Sequence, residues 1–339
     1  MVVAGVAGIT AASLSDPETS SDNVVRTINW YDFNYAYRKP ITITNSGSAL
    51  TDYELSVTVD TAALVSAGKM QADGDDIRFT TSDGVTEASY FLESGMDTSG
   101  TVIWVKVPSI AATPTSTTIY MYYGYSSATA VSDGDGVFIY FNDFEVAADL
   151  DDWTEVDGAN GTPSRVTSPA QHGSYSLLID DTNSGNNKYY GLYTNFTSQA
   201  SCVIEYYAQP AQTNAAWEIQ ALSGTTIGPY LQFSSGGNIQ YNSSGSWTDF
   251  STPLTYSSGT WYSFKLNEVR VDNDTYDVYV NSSLMRDNTA FRNALTGVDR
   301  LEFYASTNRT DPNIYVDLVK VRQYTANTVS PSLGSEEPL

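Results

Sequence analysis

Hydrophobic and polar residues alternate along most of the chain. Residues 38–45 and 53–60 alternate with a period of two, which is the spacing of a half-buried β-strand. Residues 61–68 form the one plausible short helix, ended by Gly68. Short alternating runs separated by Gly, Pro and Asp predict an all-β fold built of antiparallel β-sandwiches.

Further strands are predicted in both halves of the chain. In the first half they cover residues 77–80, 89–93, 102–107 and 117–123. In the second half they cover residues 138–144, 176–180, 189–193, 202–209, 216–222, 230–233, 261–266, 276–280, 300–305 and 314–321.

The predicted organisation is two tandem jelly-roll-like sandwiches between an extended arm and a short tail. Residues 1–28 form the arm and linker, 29–136 the first sandwich, 137–325 the second, and 326–339 a flexible tail rich in Pro, Ser and Glu. Residues 1–14 are apolar, contain no basic n-region and are too short to span a bilayer. They are either a signal remnant or an arm that packs in an assembly.

Charge excludes one large class of partners. The net charge is −23, from 39 acidic and 16 basic residues, so a phosphate backbone would be repelled and nucleic-acid binding is not expected. Two interpretations of the acidic residues stay open: a coat suited to high salt, or carboxylates gathered for divalent cations. A single Cys and a single His exclude the usual zinc sites.

The sequence contains no pattern typical of a catalytic centre. Glycoside hydrolysis needs two facing carboxylates, and the nearest candidate pair, Glu268 and Asp272, has the wrong spacing. There is no nucleophile elbow, phosphate-binding glycine loop or dinucleotide fingerprint. We therefore expect a protein that is not an enzyme.

The first sandwich resembles a domain of unknown function found in archaeal and bacterial surface proteins. The family name implies no activity. The resemblance lies in residues 37–43 (Tyr-Arg-Lys-Pro-Ile-Thr-Ile), 68–70 (Gly-Lys-Met), 73–79 (Asp-Gly-Asp-Asp-Ile-Arg-Phe), 103–108 (Ile-Trp-Val-Lys-Val-Pro) and 119–124 (Ile-Tyr-Met-Tyr-Tyr-Gly).

The second sandwich resembles the jelly rolls of laminin-G-like, concanavalin-like and carbohydrate-binding modules. The matching segments are Phe144-Glu145 followed by Trp153, residues 170–177, 259–262, 277–281 and 315–321. The resemblance implies that the strands near 138–144 and 314–322 are neighbours that close the sandwich.

The same resemblance implies a structural calcium ion that ties the first strand to the last. The corresponding ligands are Glu145 and Asp317, with backbone carbonyls and Asn142, Asp143 or the loop near Ser174 supplying further oxygens. The pattern departs from the family at Leu318, where a second acidic residue is usual. The alternative is that Glu145 and Asp317 face solvent or form ion pairs with nearby basic residues.

Aromatic side chains of the second sandwich are candidates for glycan contact. Trp217, Tyr230, Tyr241 and Trp247 are the four that we predict as ligand-binding residues, since sugars stack on exposed rings beside planar polar groups. Alternation places Trp217 on one face of its strand and Glu218 and Gln220 on the other.

These observations predict a surface-displayed recognition or adhesion protein whose second domain binds a glycan or a protein partner. We expect it on a cell surface or virion surface, as a homo-oligomer or part of a larger assembly. The alternative is a structural component of an extracellular appendage or of a virion, such as a capsid decoration, turret or tail receptor-binding protein, assembled through the N-terminal arm.

Overall fold

The computed structural model describes residues 29–156, 161–181, 190–305 and 313–339. The predicted N-terminal arm, residues 1–28, lies outside the described residues. The described chain forms two β-sandwiches in tandem, so the predicted all-β class is confirmed. None of the helices in these four ranges is long and apolar enough to cross a membrane.

The first sandwich is built from seven strands, one short helix and two strands contributed by the C-terminal segment. Its elements are β1 (Tyr37–Asn45), β2 (Leu50–Val59), α1 (Thr61–Ser66), β3 (Arg78–Thr80), β4 (Glu87–Ala88), β5 (Tyr90–Ser94), β6 (Thr101–Ile110) and β7 (Thr117–Tyr123), followed much later in the chain by β23 (Val329–Leu333) and β24 (Glu337–Pro338).

The second sandwich contains the intervening strands and a 3₁₀ helix, Ala147–Asp152. Its strands are β8 (Tyr140–Asn142), β9 (Thr154–Val156), β10 (Gly161–Val166), β11 (Ser176–Asp181), β12 (Tyr190–Gln199), β13 (Ser201–Pro210), β14 (Trp217–Ser223), β15 (Thr226–Phe233), β16 (Asn238–Ser243), β17 (Ser246–Thr255), β18 (Tyr262–Arg270), β19 (Thr275–Val280), β20 (Ser283–Ala290), β21 (Val298–Ala305) and β22 (Asn313–Gln323).

Each sandwich pairs two antiparallel sheets over its own core. In the first, the sheet β23-β1-β7-β3-β4, with β24 also paired to β1, faces the sheet β2-β6-β5. In the second, β10-β11-β22-β13-β18-β19-β20, with β8 also paired to β22, faces β17-β16-β15-β14-β21-β12-β9. We call these last two the eight-stranded and the seven-stranded sheet.

The predicted short helix is present and capped. Helix α1 begins after Asp60, whose Oδ1 accepts the N–H of Ala63 at 3.0 Å, and a side-chain oxygen of this kind satisfies one of the first free N–H groups. It ends before Gly68, which has a φ of +66°. Leu64 packs into the first core.

The C-terminal segment is paired rather than loose, which corrects the predicted flexible tail at residues 326–339. Residues Val329 to Leu333 of β23 pair in register with Asn45 to Ile41 of β1. Val329 and Leu333 are partly buried against the first core. The composition concealed this strand because only alternate positions need to be apolar at the edge of a sheet.

A separate apolar cluster joins the two sandwiches, and we call it the seam. Its buried members are Phe91, Trp104, Val137, Phe138, Phe141 and Leu318. The predicted strand at 138–144 is shorter than expected, because Val137 and Phe138 belong to this seam and the strand itself is Tyr140–Asn142. Its pairing with Val319 to Val321 of β22 shows that the two segments predicted to be neighbours are neighbours.

Ion pairs lie along the same seam. Lys320 Nζ is 2.5 Å from Glu93 Oε2 and 3.5 Å from Glu205 Oε2, and Arg322 Nη2 donates to Glu205 Oε1 at 3.2 Å. The two cations also lie over the Trp104 ring, with centroid distances of 5.2 and 5.1 Å. The basic residues of β22 therefore bind Glu93 and Glu205.

Candidate functional site

Asp317 lies at a break in the pairing of β22. Strand β11 pairs with β22 up to Val316, and β8 pairs with it from Val319 onward. Between them Leu318 has a φ of +46°, a left-handed conformation that is uncommon for a branched residue. This irregularity turns Leu318 into the seam.

Asp317 and Glu145 bind the same loop, residues 171–175. Asp317 Oδ2 accepts the N–H groups of Gln171 and His172 at 2.8 and 2.9 Å. Glu145 Oε1 accepts the N–H groups of Ser174 and Tyr175, both at 2.8 Å. The two carboxylates thus accept hydrogen bonds from backbone amides of the same loop. We call this arrangement the carboxylate latch.

Gly173 is required at the centre of the latch. Its φ is +57°, and a Cβ built there would lie 2.5 Å from Glu145 Cδ. A side chain at this position would therefore meet both backbone strain and a steric clash.

Asp317 is the buried member of the latch, and one of its two oxygens is an acceptor without a donor. Asp317 is 0% exposed, and burial raises the pKa of its carboxyl to about 7 although the N–H groups of His172 and Gln171 act to lower it. Asp317 Oδ1 has no hydrogen-bond partner among the described residues. The nearby charge of Glu145 also raises the pKa of Asp317.

The latch fits a cation only in part. In the described ranges no group of three or more His, Cys, Asp and Glu side chains is arranged to hold a metal ion. Asp143 therefore does not complete a set of three carboxylates with Glu145 and Asp317. Its Oδ1 instead accepts the N–H of Glu145 at 3.2 Å. Arg165 donates to the carbonyl oxygens of Phe144 and Glu145 at 2.6 and 2.7 Å. Asp317 Oδ1 remains the open oxygen, and the calcium ion stays a prediction.

The latch also touches the first sandwich. His172 Nε2 lies 3.0 Å from the carbonyl oxygen of Glu93, and its ring centroid is 5.8 Å from that of Phe91. The loop held by the two carboxylates therefore contributes to the seam.

Two of the four predicted ligand-binding aromatics lie in the core. Trp217 is 1% exposed and Tyr241 is 5% exposed, and both pack between the sheets of the second sandwich. The predicted alternation is confirmed, but the apolar face that carries Trp217 and Ile219 is the inner one. Neither ring offers a face for stacking, which corrects the prediction for these two residues.

The other two predicted aromatics lie together on the outer face of the seven-stranded sheet. The rings of Tyr230 and Trp247 have centroids 4.5 Å apart, and the Tyr230 hydroxyl donates to Glu218 Oε2. Tyr230 is buried and Trp247 is half-buried. The structure thus places this pair beside Glu218 and Gln220, outside the core cluster.

Planar polar and aromatic side chains form two rows across this outer face. One row runs through directly opposed residues of four strands, Tyr193, Glu302, Gln220 and Tyr230. The second row runs through five strands, Tyr304, Glu218, Gln232, Gln240 and Asp249. We call these two rows, with Trp247 beside Tyr230, the ladder face.

Hydrogen bonds connect the members of the ladder face. Gln232 Nε2 donates to Gln240 Oε1 at 2.5 Å, and Gln240 Nε2 donates to Asp249 Oδ1 at 2.8 Å. Gln220 Nε2 donates to Glu218 Oε2 at 3.2 Å. The three glutamines of the two rows, together with Glu218 and Asp249, are fixed by neighbours, so the face carries oriented donors and acceptors. Gln220, Gln232 and Glu302 are themselves buried.

Arginine contacts border the first row. The Arg300 guanidinium lies 3.8 Å from the Tyr193 ring centroid and donates to Asn195 Oδ1 at 3.1 Å. Burial raises the pKa of Glu302, with the charge of Arg300 acting in the opposite direction.

Several members of the ladder face were not predicted from the sequence. Glu302, Tyr304, Gln232, Gln240 and Asp249 each look like an ordinary polar position of an alternating strand. Their common feature is register, which brings them side by side. A usable signal was the recurrence of planar polar residues, rather than Ser or Thr, at the outward positions of successive strands.

A family model described as a domain of unknown function, DUF2341, matches residues 73–156. The match begins before β3 and ends with β9. It therefore includes residues 73–124 of the first sandwich, where part of the resemblance to a surface-protein domain lies, and continues across the seam into the second sandwich. No curated protein matches the sequence.

Solved structures with similar folds include a protein titled sialidase, with 12% identity and a TM-score of 0.47 over 62% of this chain; the chain spans only 20% of that protein. Cellulose-induced protein Cip1 has 16% identity and a TM-score of 0.43 over 54% of this chain and 96% of its own. The C-terminal family 22 carbohydrate-binding module of Clostridium thermocellum Xyn10B has 15% identity and a TM-score of 0.31 over 55% and 93%. Likeness at this level says nothing about what this chain binds.

Proposed function

We propose that the second sandwich is a carbohydrate-recognition module that binds a glycan on the ladder face. The observation that carries the proposal is the two-row array of oriented amides, carboxylates and tyrosines on the outer face of one sheet. Sites for polar small molecules combine ring surfaces with a few placed hydrogen-bonding groups. The ladder face supplies both along one continuous surface.

The chemistry of the rows suits hydroxyl groups. Glutamine amides offer donors and acceptors together, while carboxylates accept only, so neighbouring sugar hydroxyls can donate to one group and accept from the next. Tyr193, Tyr304 and Trp247 are half-buried and present ring surface for the C–H face of a sugar. Most of the hydrogen-bonding groups already hold one another, so a glycan gains affinity with little ordering of side chains.

A protein partner is the less favoured occupant of the ladder face. The cores of protein interfaces are depleted of charged residues, whereas Glu218, Glu302 and Asp249 all lie within the two rows. The exposed large hydrophobic residues within the described ranges are Phe33, Val85, Val131, Val146, Leu284 and Leu339, and none of them is a member of either row. A polar ladder therefore favours a hydroxylated ligand.

Binding rather than hydrolysis is the function that we assign to the two carboxylates on this face. Glu218 and Glu302 lie on neighbouring strands, and burial raises the pKa of Glu302, a property that general acids share. Glu218 Oε2, however, already accepts hydrogen bonds from Tyr230 and Gln220, which fix this carboxylate within its row.

We further propose that the module acts at a surface through multivalent weak contacts, because linked copies gain avidity from effective concentration. The alternative role in a virion or appendage depends on residues 1–28, which lie outside the described residues. The recognition role rests on the ladder face and is the one that we put forward.

A glycan array with the full chain, followed by calorimetry on the best hit, tests the proposal. Tyr193→Ala and Trp247→Ala should each weaken binding by roughly tenfold, as expected for loss of one stacking contact. The matched control is Tyr315→Ala, a half-buried tyrosine on the eight-stranded sheet, which should bind as the wild type does. No glycan bound, or equal losses in all three variants, would overturn the proposal, and release of shortened sugars would replace binding with hydrolysis.

A further inference from the structure

A cleft of about 240 Å³ opens at the seam, on the outer face of the eight-stranded sheet. The first sandwich contributes Glu93 and Trp104, and the second contributes Glu205, Lys265 and Lys320 among its lining residues. This cleft is on the opposite sheet from the ladder face. It does not share residues with that face.

A cross-strand row of alternating charge forms the floor of the cleft. Lys320 is opposite Glu205, Glu205 is opposite Lys265, and Lys265 is opposite Tyr279. Two of the cations at this surface have carboxylate partners: Lys320 contacts Glu93 and Glu205, and Arg322 contacts Glu205.

Lys265 is the cation in this row without a close carboxylate. Within the described ranges no carboxylate oxygen lies within 4.0 Å of Lys265 Nζ, which is instead 4.0 Å from the centroid of the Tyr279 ring. Asp277 faces the same side of β19, but its Oδ1 accepts the N–H of Asn288 at 2.9 Å. Burial lowers the pKa of Lys265, while the charge of Glu205 acts to raise it, as expected for an ammonium group that lacks a direct ion pair.

The other residues that line the cleft indicate which groups a ligand would carry in addition to a negative charge. Ser263, Ser282 and Tyr207 bring hydroxyl groups to the cleft, and Tyr279 brings a ring beside Lys265. Pockets for drug-sized ligands measure roughly 300–1,000 Å³, so a cleft of about 240 Å³ has room for a molecule no larger than a single sugar ring.

We infer that this cleft is a second binding site, specific for a small hydroxylated carboxylic acid of the sugar-acid type. Its carboxylate pairs with Lys265 Nζ, its ring or carbon chain lies against Tyr279, and its hydroxyls bond to the serine and tyrosine hydroxyls of the lining. A carboxylate that also accepts hydrogen bonds from an ammonium group forms one of the stronger contacts available to a small ligand. The inference does not depend on the ladder face.

The test is a titration of the full chain with sodium D-glucuronate and with D-glucose, followed by amide NMR chemical shifts. Glucuronate should saturate and shift the amides of residues 205, 265, 279 and 320, whereas glucose should leave them in place. Lys265→Gln should weaken glucuronate binding by roughly tenfold or more, because it removes the charge and keeps most of the volume. The matched control is Lys106→Gln, a half-buried lysine on β6 that does not line the cleft.

The outcomes separate this inference from the glycan proposal. Glucuronate shifts confined to the ladder face, or equal binding of glucose and glucuronate at the cleft, would overturn the second site. Unchanged glucuronate affinity in Lys265→Gln, with its thermal midpoint equal to that of the wild type, would overturn it as well. Loss of glycan binding in Tyr193→Ala with glucuronate binding retained would support two separate sites.

Discussion

Lys320 of the second sandwich and Glu93 of the first form an ion pair with a distance of 2.5 Å between Nζ and Oε2. The two side chains are 6% and 18% exposed, so the pair is largely removed from water. Glu93 also accepts a hydrogen bond from Trp104 Nε1. The ion pair between the sandwiches thus lies directly beside Trp104, a member of the apolar seam.

Removing one partner of this pair should destabilise the protein strongly. Lys320→Met keeps the length of the side chain but leaves Glu93 and Glu205 without that cation, and breaking a buried pair costs roughly 3–5 kcal/mol. The thermal unfolding midpoint should therefore fall. The control is Asp272→Asn at the exposed pair with Arg270, at 3.8 Å, where the cost should stay below about 1 kcal/mol. Similar shifts in the two variants would contradict the importance of the seam pair.

The Glu205 carboxyl makes the stability of the seam depend on pH. Burial acts to raise its pKa, but the charges of Arg322 and Lys320 outweigh burial and lower the pKa to about 2. A carboxyl with a lowered folded-state pKa stabilises the fold above its unfolded-state value and loses that contribution as pH falls through the folded-state value. At neutral pH the contribution is roughly 3 kcal/mol.

We therefore expect Glu205→Gln to be less stable than the wild type at about pH 6 and to approach it near about pH 2. Urea unfolding at several pH values measures the difference. A constant difference across this range would show that Glu205 contributes by packing and not by charge.

The strands were predicted from the sequence better than the packing of one sheet against another. Strand β7 has the predicted limits, Thr117–Tyr123, because alternation and flanking turns depend on nearby residues. The alternation at 217–220 also predicted which side chains share a face. It did not show which face was inner, since that depends on the opposite sheet and made Trp217 a core residue.

The candidate sites depend on contacts distant in sequence. The latch joins Glu145, loop 171–175 and Asp317; a family resemblance indicated these three parts, but not the hydrogen bonds from the loop amides to the two carboxylates. The seam cleft could not be predicted, because it depends on the docking of Trp104 and on the left-handed Leu318 in β22. Neither feature leaves a periodic signal.

Gly173 and Gly224 allow a matched test of the carboxylate latch. Both have a φ of +57°, but a Cβ at Gly173 would lie 2.5 Å from Glu145 Cδ, whereas a Cβ at Gly224 would meet no atom within 4 Å. Each Gly→Ala change carries backbone strain of roughly 1 kcal/mol. Gly173→Ala should cost roughly 1–3 kcal/mol more, because Glu145 must move away from the loop amides. Equal changes in the free energy of unfolding would argue against a tight latch.

The predicted calcium ion can be tested on the same latch. If the open Asp317 Oδ1 is a ligand, calcium chloride added after treatment with a chelator should raise the thermal midpoint, since a ligand that binds only the folded state stabilises it. Asp317→Asn should lose this response, and Asp272→Asn should keep it. An unchanged wild-type midpoint would show that the carboxylates only hold the loop.

The C-terminal strand should be part of the stability of the first sandwich. A chain ending at Thr328 lacks β23 and β24, and with them the ion pairs of Arg38 with Glu337 at 2.6 Å and of Lys69 with Glu336 at 2.5 Å. It also loses the partly buried Val329 and Leu333, worth roughly 2–4 kcal/mol together. The edge of β1 is then exposed, and an unpaired edge strand promotes association between chains.

We expect the truncated chain to have a lower thermal midpoint and a larger mass by light scattering. Leu333→Ala should give part of the decrease in thermal midpoint, and Ser330→Ala almost none. A truncated chain that stays monomeric and unfolds at the wild-type temperature would show that the paired strand is dispensable.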